Sequence, residues 1–557
     1  MSQHHHSHTQ QPILQTTNQP PTGYRTLQAD VIVIGASLGG TLGALAAARQ
    51  GLKVILTEPT DWIGGQLTSQ AVPPDEHRWI EKGIGAPGTF IEFRERVREY
   101  YRLNYPLTEE ALENPILNPG NGWVSRLAHE PKIALQVLED MLAVYLNTGR
   151  IEVLYHTEPV EAVTAHDEIV SVTVRHTGDC DSRYSTLIGA YYLDGTDEGD
   201  LLELSGTEYV SGAESKSQTN EPHALDEAEP LDMQSITHVA AVDYIEGGDF
   251  TIDKPEQYEY WKAYKPSFSE YPILSWYATD ANDTSKLKEF TLFPNEQGVT
   301  SLWDYRRIVD PAIWTEQLSA EVSLLNWAMN DYYAGPVTGV PLQERLPNLE
   351  SARQLTLSLV YWLQTEAPRL DGGKGYPGIR LRGDILGTED GLAKSPYIRE
   401  SRRIKGMYTI NEHDVSKELR GEQGIKRYED SVGIGSYSLD LHPTVKTHRT
   451  FYIPNYPFEI PLGSLIPVRI TNLLPACKNI SMTQIAGGCY RLHPVEWNIG
   501  EAAGYLAAYA IANELTPQEV YASSEHVSRY QELLTHRGVQ LHWPEEVEQE
   551  VLQPPQS

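Results

Sequence analysis

The sequence predicts an α/β fold: a parallel sheet, a small antiparallel β-sheet, and an inserted α+β region. Three observations predict it. A wholly apolar run, Val31-Ile32-Val33-Ile34, enters a glycine turn, as a strand buried on both faces of a parallel sheet does. A helix rich in small residues follows, and a second strand over 53–57 ends on Glu58. Further along, an apolar run over 187–193 ends in Asp194-Gly195-Thr196-Asp197-Glu198-Gly199-Asp200, and a second small-residue helix covers 498–510.

The first turn reads Gly35-Ala36-Ser37-Leu38-Gly39-Gly40. The helix after it, with Gly43-Ala44-Leu45-Ala46-Ala47-Ala48, can lie close to the sheet. Its N-terminus offers unpaired N–H groups and a positive dipole end, which suit a pyrophosphate. Glu58 stands 23 positions after Gly35, near the ~20-residue spacing of a carboxylate that accepts from a ribose hydroxyl. The usual dinucleotide pattern has Gly at its first, third and sixth positions; here these are Gly35, Ser37 and Gly40. A serine narrows the approach to a phosphate. Taken alone, the turn also fits an ordinary βα connection.

The composition excludes several classes. The chain has 557 residues, and 44 basic against 76 acidic side chains leave a net charge of −32. That charge repels phosphate backbones, so no nucleic-acid partner is expected. Three cysteines, Cys180, Cys477 and Cys489, form neither a disulfide framework nor a zinc pattern, and no metal site is expected. No run reaches the ~20 apolar residues of a membrane span. The first residues are polar, with His4, His5, His6 and His8, and lack a signal-peptide stretch. The expectation is a soluble cytoplasmic protein with a disordered tail over 1–27. The sequence sets no oligomeric state.

Along the chain, paired glycines follow the second strand in Asp61-Trp62-Ile63-Gly64-Gly65-Gln66. Helices are predicted over 90–102 and from Pro131 to about Leu146, with proline at the favoured first position. Residues 106–122 read as loop. Residues 151–154 read as a strand, and 160–164 with 169–175 as a hairpin. The run 187–193 reads as one strand and 211–232 as a mobile acidic loop. From 233 to about 460 Tyr and Trp become common, with amphipathic helices predicted over 316–334 and 350–366. Residues 469–474 read as a strand and 517–536 as an amphipathic helix ending at Gly538. The expected division is a discontinuous nucleotide-binding domain (28–70, 124–210, 465–515), a substrate or cap region (71–123, 211–464), and a C-terminal helix and tail (516–557).

Four segments in this order resemble the FAD-dependent oxidoreductases of the glutathione-reductase-like flavoprotein superfamily. They are the βαβ start with Gly35 and Glu58, the Asp61–Gln66 stretch, the Asp194–Asp200 turn, and Asn472-Leu473-Leu474-Pro475-Ala476 with the helix after it. Tyr397-Ile398-Arg399-Glu400-Ser401-Arg402-Arg403-Ile404 and Gly487-Gly488-Cys489-Tyr490-Arg491-Leu492-His493-Pro494 are similar to a bacterial branch of unassigned substrate. The resemblance runs from about 28 to 545. It implies a Rossmann-like FAD-binding domain and FAD as cofactor. It implies Gly35, Ser37, Gly39 and Gly40 along the pyrophosphate, and Glu58 on the adenosine ribose. It implies Gly64, Gly65 and Gln66 along the ribityl chain and ring edge, and Asp194, Thr196 and Asp197 near the nucleotide half. Gly500, Ala503 and Gly504 would start a helix whose dipole faces the flavin's pyrimidine end.

A flavoenzyme needs a substrate-orienting site and often a proton acceptor. His493, in Arg491-Leu492-His493-Pro494, is a candidate, with a structural histidine as the equal alternative. His442 follows Asp440 by two residues, so both can share a strand face; a satisfied loop histidine is the alternative. Glu496 reads as a helix N-terminal carboxylate. Arg399, Arg402 and Arg403 form a basic cluster, and Arg399 can bind a substrate carboxylate; ion pairs with acidic neighbours are the competing reading. Tyr452 can donate to a carbonyl. Cys477 and Cys489, twelve residues apart, form no CxxC redox pair.

No second nucleotide fingerprint occurs between 211 and 460. The expected activity is therefore hydride transfer from a small organic substrate (an amine, amino acid or alcohol) to flavin, with re-oxidation by oxygen or another acceptor. The alternatives are a flavoprotein isomerase or hydratase and a non-catalytic FAD-binding protein.

Overall fold

In a computed structural model the described residues are 25–178, 183–280, 283–316 and 318–553. The histidine cluster near the N-terminus and Cys180 lie outside them. A parallel sheet organises the cofactor end. Its strands are β1 (Val31–Ile34), β2 (Val54–Glu58), β3 (Ile151–Tyr155), β4 (Tyr191–Asp194) and β5 (Leu473–Pro475), in the spatial order β5-β4-β1-β2-β3. The registers Val31↔Val54 and Val31↔Tyr191 put β1 in the middle, and all four β1 side chains have no exposed surface. The strand order reverses beside β1, and open parallel sheets bind ligands at such a switch point, beyond the carboxyl ends of the strands.

Helix α1 (Leu38–Arg49) starts at Ser37, whose Oγ accepts the Gly40 N–H at 3.2 Å. Glycines cost a helix roughly 1 kcal/mol each relative to alanine. Here they let α1 lie backbone to backbone against α2 (His493–Asn513). A Cβ on Gly500 would collide with the Gly39 carbonyl, and one on Gly504 with the Gly43 carbonyl. The sequence placed the start of this last helix near Gly500. It starts two turns earlier, at His493, with Pro494 in its first turn. Gly500, Ala503 and Gly504 are thus interior residues of a helix pair.

A second sheet joins Thr157–Ala165, Glu168–His176, Arg183–Ile188 and Arg25–Gln28. Its last strand falls partly in the segment expected to be tail, and pairs in parallel with Arg183–Ile188. The run 187–193 is two strands, not one. It breaks at Gly189-Ala190, so that Arg183–Ile188 serves the antiparallel sheet and β4 the parallel one.

The 233–460 region has its own antiparallel sheet, ordered Arg307–Val309, Val322–Leu325, Ala240–Tyr244, Ile379–Leu381. Trp261, Trp303 and Trp327 are buried in its core. The helix expected over 316–334 is instead the strand Val322–Leu325, a 3-10 turn and the short strand Asp331–Tyr332. All four residues Val322–Leu325 are fully buried between two strands; pairing on both sides overrides an apolar pattern that also suits a helix. The next helix is longer than expected, Leu342–Thr365, and carries Pro347. Residues 211–232 are packed rather than free: the Glu221 and Asp232 side chains are buried and bonded to Thr483 and Thr447. The strand over 469–474 shrinks to β5. The segment 106–122 contains a short helix, Glu109–Glu113, and 517–536 is two helices broken at Ser523.

Candidate active site

Four turns converge at the carboxyl end of β1. Gly35 adopts φ +90°, and its N–H bonds Thr57 Oγ1 at 3.0 Å. A Cβ there would stand 2.7 Å from the Gly195 backbone, so only glycine fits. The Gly64 N–H reaches Ala36 O at 2.9 Å. Gly65 comes so near Ser37 that a Cβ would sit 2.9 Å from its Cα. A Cβ on Gly39 would strike Ala476 O, and one on Gly40 would strike Gly35 O. Ser37 therefore spends its hydroxyl capping α1.

Glu58 ends β2 almost fully buried. Its Oε1 accepts the Thr60 N–H at 2.9 Å and the Thr60 hydroxyl at 2.7 Å. Burial pushes its carboxyl up to about 7 against those bonds. Asp194 and Thr196 turn inward. Asp194 Oδ1 accepts from the Thr196 N–H and hydroxyl at 3.0 and 2.7 Å, and Oδ2 accepts the Leu201 N–H at 3.1 Å. They hold their own turn together.

Asp197 joins a buried charge cluster at the mouth of α1. Lys478 Nζ lies 2.5 Å from Asp197 Oδ1 and 3.3 Å from Glu496 Oε2. Gln70 Nε2 bonds Asp197 at 2.7 Å, and Gln66 Nε2 bonds Glu496 at 2.5 Å. Burial alone would lower the Lys478 pKa; Asp197, Cys477 and Glu496 raise it well above the usual lysine value. Asp197, Cys477 and Glu496 bring ligand-type atoms within 4.8 Å of one another, but the Lys478 ammonium already bonds all three.

The cluster tests the fit of an anion. The first turn of α1 carries no acidic residue of its own, yet the Gly39 N–H donates to Glu496 Oε1 at 3.0 Å. A carboxylate oxygen is thus held where a helix N-terminus binds anions. Gln66 Oε1 and Gln70 Oε1 beside it are buried without a partner. Glu496 thus fills the anion position itself, while the Gln66 and Gln70 oxygens and Glu58 at the end of β2 are acceptors suited to hydroxyl donors.

A cavity of about 460 Å³ lies alongside, between the cofactor end and the 233–460 region. Gln66 Nε2 reaches Arg491 O at 3.3 Å, which links the two. Three ion pairs line the wall. Arg306 forks onto Asp75 at 3.1 and 3.2 Å, Arg399 bonds Asp331 at 2.9 Å, and Arg491 bonds Asp440 at 2.9 Å. His442 stands between two of them, with Nδ1 2.7 Å from Asp331 Oδ2 and Nε2 3.3 Å from Asp440 Oδ2. Burial would raise Asp331, but Arg399 and His442 overcome it and hold its carboxyl at about 2. Asp440 is likewise held low against burial, by His442 and Arg491.

The model of the family described as FAD dependent oxidoreductase matches residues 30–534. The chain belongs to this family. It is an FAD-dependent oxidoreductase, a flavoprotein whose cofactor is FAD. No curated protein matches the sequence. Among solved structures, a geranylgeranyl bacteriochlorophyll reductase-like protein from Thermoplasma acidophilum is 11% identical, with 93% of this chain and 86% of that chain covered and a TM-score of 0.29. A single-residue variant of the E. coli quinol fumarate reductase subunit FrdA is 8% identical over 92% and 74%, with a TM-score of 0.33. The L-proline dehydrogenase from P. horikoshii is 12% identical, but only 34% of this chain and 24% of that chain are covered, at a TM-score of 0.18. The chain thus spans about a quarter of that protein's length. At these scores the likenesses carry no statement about activity. Among the described residues of this flavoprotein, no helix is long and apolar enough to cross a membrane.

The structure sorts the candidates of this flavoenzyme. His442 and Arg399 line the cavity together, as does Tyr452. His493 does not; it is fully buried behind the wall, with both ring nitrogens on backbone groups. Burial lowers its pKa to about 4, so it is neutral. Arg402 pairs with Asp200 and Glu203, and Arg403 with Glu214 and Glu400, away from the cavity. Lys478, Asp75, Arg306 and Asp331 escaped the sequence reading. Only Lys478, next to Cys477 in the segment after β5, had a local signal.

Proposed function

We propose that this flavoenzyme oxidises a small organic substrate (an amine, an amino acid or an alcohol) in the 460 Å³ cavity, with His442 as proton acceptor. FAD, when bound, supplies the hydride acceptor. The Gly35–Gly40 turn and the N-terminus of α1 would hold its pyrophosphate, Glu58 its ribose hydroxyls, and Gly64, Gly65 and Gln66 the part leading to the ring. The unpartnered Gln66 and Gln70 oxygens, which can accept from hydroxyls of the cofactor chain, support the last of these assignments.

One observation carries the catalytic reading: the His442 ring is held between two carboxylates in the cavity wall. Asp331, ionised, accepts the Nδ1 proton and orients the ring; with the ring neutral, a substrate group that displaces the longer 3.3 Å contact to Asp440 meets the Nε2 lone pair. Arg399 steadies Asp331 from the other side through Oδ1. Asp440 stabilises the imidazolium that forms. Dioxygen or another external acceptor would close the cycle.

Anaerobic mixing with a panel of amines, amino acids and alcohols tests the reading. Bleaching of the flavin band is expected. Conversion of a panel member without bleaching would favour the isomerase or hydratase alternative. His442→Asn should slow reduction by ~10²–10⁴-fold and leave FAD content unchanged; an unchanged rate would remove His442 from the mechanism.

A further inference from the structure

Besides His442, four cations line the cavity, and three of them are already paired. Arg306 holds Asp75, Arg399 holds Asp331, and Arg491 holds Asp440. The fourth is Lys288, half-buried on the strand Asp283–Thr291. Among the described residues no carboxylate pairs with it; its Nζ stands over the Phe290 ring, 5.5 Å from the centroid. The residue opposite it in the adjoining strand is Ala278. The acids nearby act elsewhere. Asp283 bonds Lys286 at 2.6 Å, and the Asp280 charge also acts on Lys286. Glu289 stands opposite Tyr277. An ammonium in a cavity wall, with an aromatic face rather than an anion for company, is a place for an anion to bind.

Lys288 enters the cavity close to the segment that carries the proton acceptor. Its strand packs against Phe451–Ile453. That strand pairs with Leu439–Leu441, with Tyr452 opposite Asp440, and His442 follows directly. One ammonium offsets one unit of charge, which suits a single carboxylate. A phosphate monoester carries about −1.5 to −2 at pH 7 and is poorly matched. A substrate ammonium has no comparable place. Asp75, Asp331 and Asp440 each hold a guanidinium, and Asp280 has an interaction of its own. It would share a carboxylate with a second cation, like charge beside like charge. A hydroxyl meets no such repulsion. Phe268, Tyr305, Tyr333, Tyr437 and Phe451 give the same cavity broad apolar faces, which suit an aromatic body.

Resting on the oxidation reading above, we propose that Lys288 anchors the carboxylate of the substrate, and that this substrate is an aromatic hydroxy acid. The ring lies among the aromatic side chains, and the secondary carbinol faces His442. Its C–H bond breaks with the electron pair passing as hydride to the flavin, its O–H proton goes to His442 Nε2, and a keto acid forms. The external acceptor re-oxidises the flavin. The cavity volume of about 460 Å³ lies within the ~300–1,000 Å³ range of ligand pockets.

The test is calorimetric titration of the FAD-loaded protein with mandelate and phenyllactate, and with methyl mandelate, phenylalanine, phenethylamine and phenyl phosphate. Flavin absorbance is followed anaerobically in parallel. At least one hydroxy acid should bind saturably and bleach the flavin. Lys288→Met should weaken that binding about 10–100-fold, raising KM with little change in kcat. Lys288→Arg keeps the charge and should restore most of the affinity. Methyl mandelate, which lacks the charge, should bind wild type and Lys288→Met alike. The Lys288 side chain is half-buried, and a thermal melt checks that both variants fold. Failure of both hydroxy acids to bind, or binding indifferent to Lys288→Met, overturns the anchor and the substrate class. Tighter binding of phenyl phosphate than of either acid overturns the carboxylate assignment. Bleaching by phenethylamine or methyl mandelate without binding of either acid overturns the substrate class and leaves the oxidation reading standing. Lys288-dependent binding of an acid without bleaching overturns the oxidation reading and leaves the anchor standing.

Discussion

His493 Nδ1 accepts the Asp75 backbone N–H at 3.2 Å, while Nε2 donates to Val72 O at 3.0 Å. The bonds tie the first residue of α2 to the loop that carries Asp75, and Asp75 grips Arg306 in the cavity wall. His493 thus anchors the loop that brings Asp75 to the cavity wall. Its ring shields both backbone groups from any other partner.

His493→Ala should strand those two groups, at a cost of about 1–3 kcal/mol each. The thermal midpoint should fall and FAD should stay bound. KM should rise more than kcat falls, because Arg306 is displaced while His442 is not. A pH profile of kcat unchanged from wild type would separate positioning from proton transfer.

Glu58 makes the cofactor end sensitive to pH. Its folded carboxyl titrates near 7 instead of 4.5 because it is buried. Between those values the unfolded chain releases the proton and the folded one keeps it. Stability of the FAD-free protein should therefore fall as pH rises through this window, by on the order of 3 kcal/mol for this group, and level off above it. Asp194, Glu76 and Glu501, also raised to about 7 by burial, add to the same slope. Thermal melts across the window should show it, and Glu58→Gln should flatten it. Ionised Glu58 is the stronger acceptor for a ribose hydroxyl, so FAD should be held more tightly at about pH 8 than at about pH 6, a difference absent in Glu58→Gln.

The contact of α1 with α2 is close enough to make one methyl decisive. Gly500→Ala drives a Cβ into the Gly39 carbonyl, which should cost at least ~1–3 kcal/mol and displace the turn at Ser37. Lower thermal stability and FAD loss on gel filtration are expected. Gly487→Ala is the control: its Cβ would sit 3.5 Å from Met482 Cε, an ordinary contact inside the helix Gln484–Tyr490. It should be neutral or stabilise by up to about 1 kcal/mol.

Asp331→Asn should do double damage. It leaves the Arg399 guanidinium buried without its anion, a loss of about 3–5 kcal/mol. It also removes the charge that orients His442, so flavin reduction should slow by ~10²-fold or more. Stopped-flow reduction beside a thermal melt measures the two separately, and a normal reduction rate in folded protein would count against the His442 mechanism.

The cofactor end was readable because its signals are local. The apolar run into Gly35, the small-residue helix after it and the strand ending on Glu58 are written in consecutive residues, and each lies where that order implies; that Ser37 caps the helix came only from the structure. The break at Gly189-Ala190 was missed because both halves are apolar and only the sheets they join differ. The strand Val322–Leu325 was missed for the same reason: an apolar run becomes strand or helix according to what pairs with it.

The cavity was legible only in fragments. Asp440 and His442 are two apart in sequence, and Arg399 stood out in a basic cluster. Asp331, which joins Arg399 to His442, and Asp75 and Arg306, which complete the wall, come from separate strands and loops. Local order was enough to identify the cofactor fold, because backbone turns and strand ends bind a dinucleotide through short-range geometry. Which histidine lines the cavity and which is sealed behind it depended on tertiary packing. Burial seals His493 against residues more than 400 positions away, and His442 meets Asp331 across 111 positions, separations that no local pattern reports.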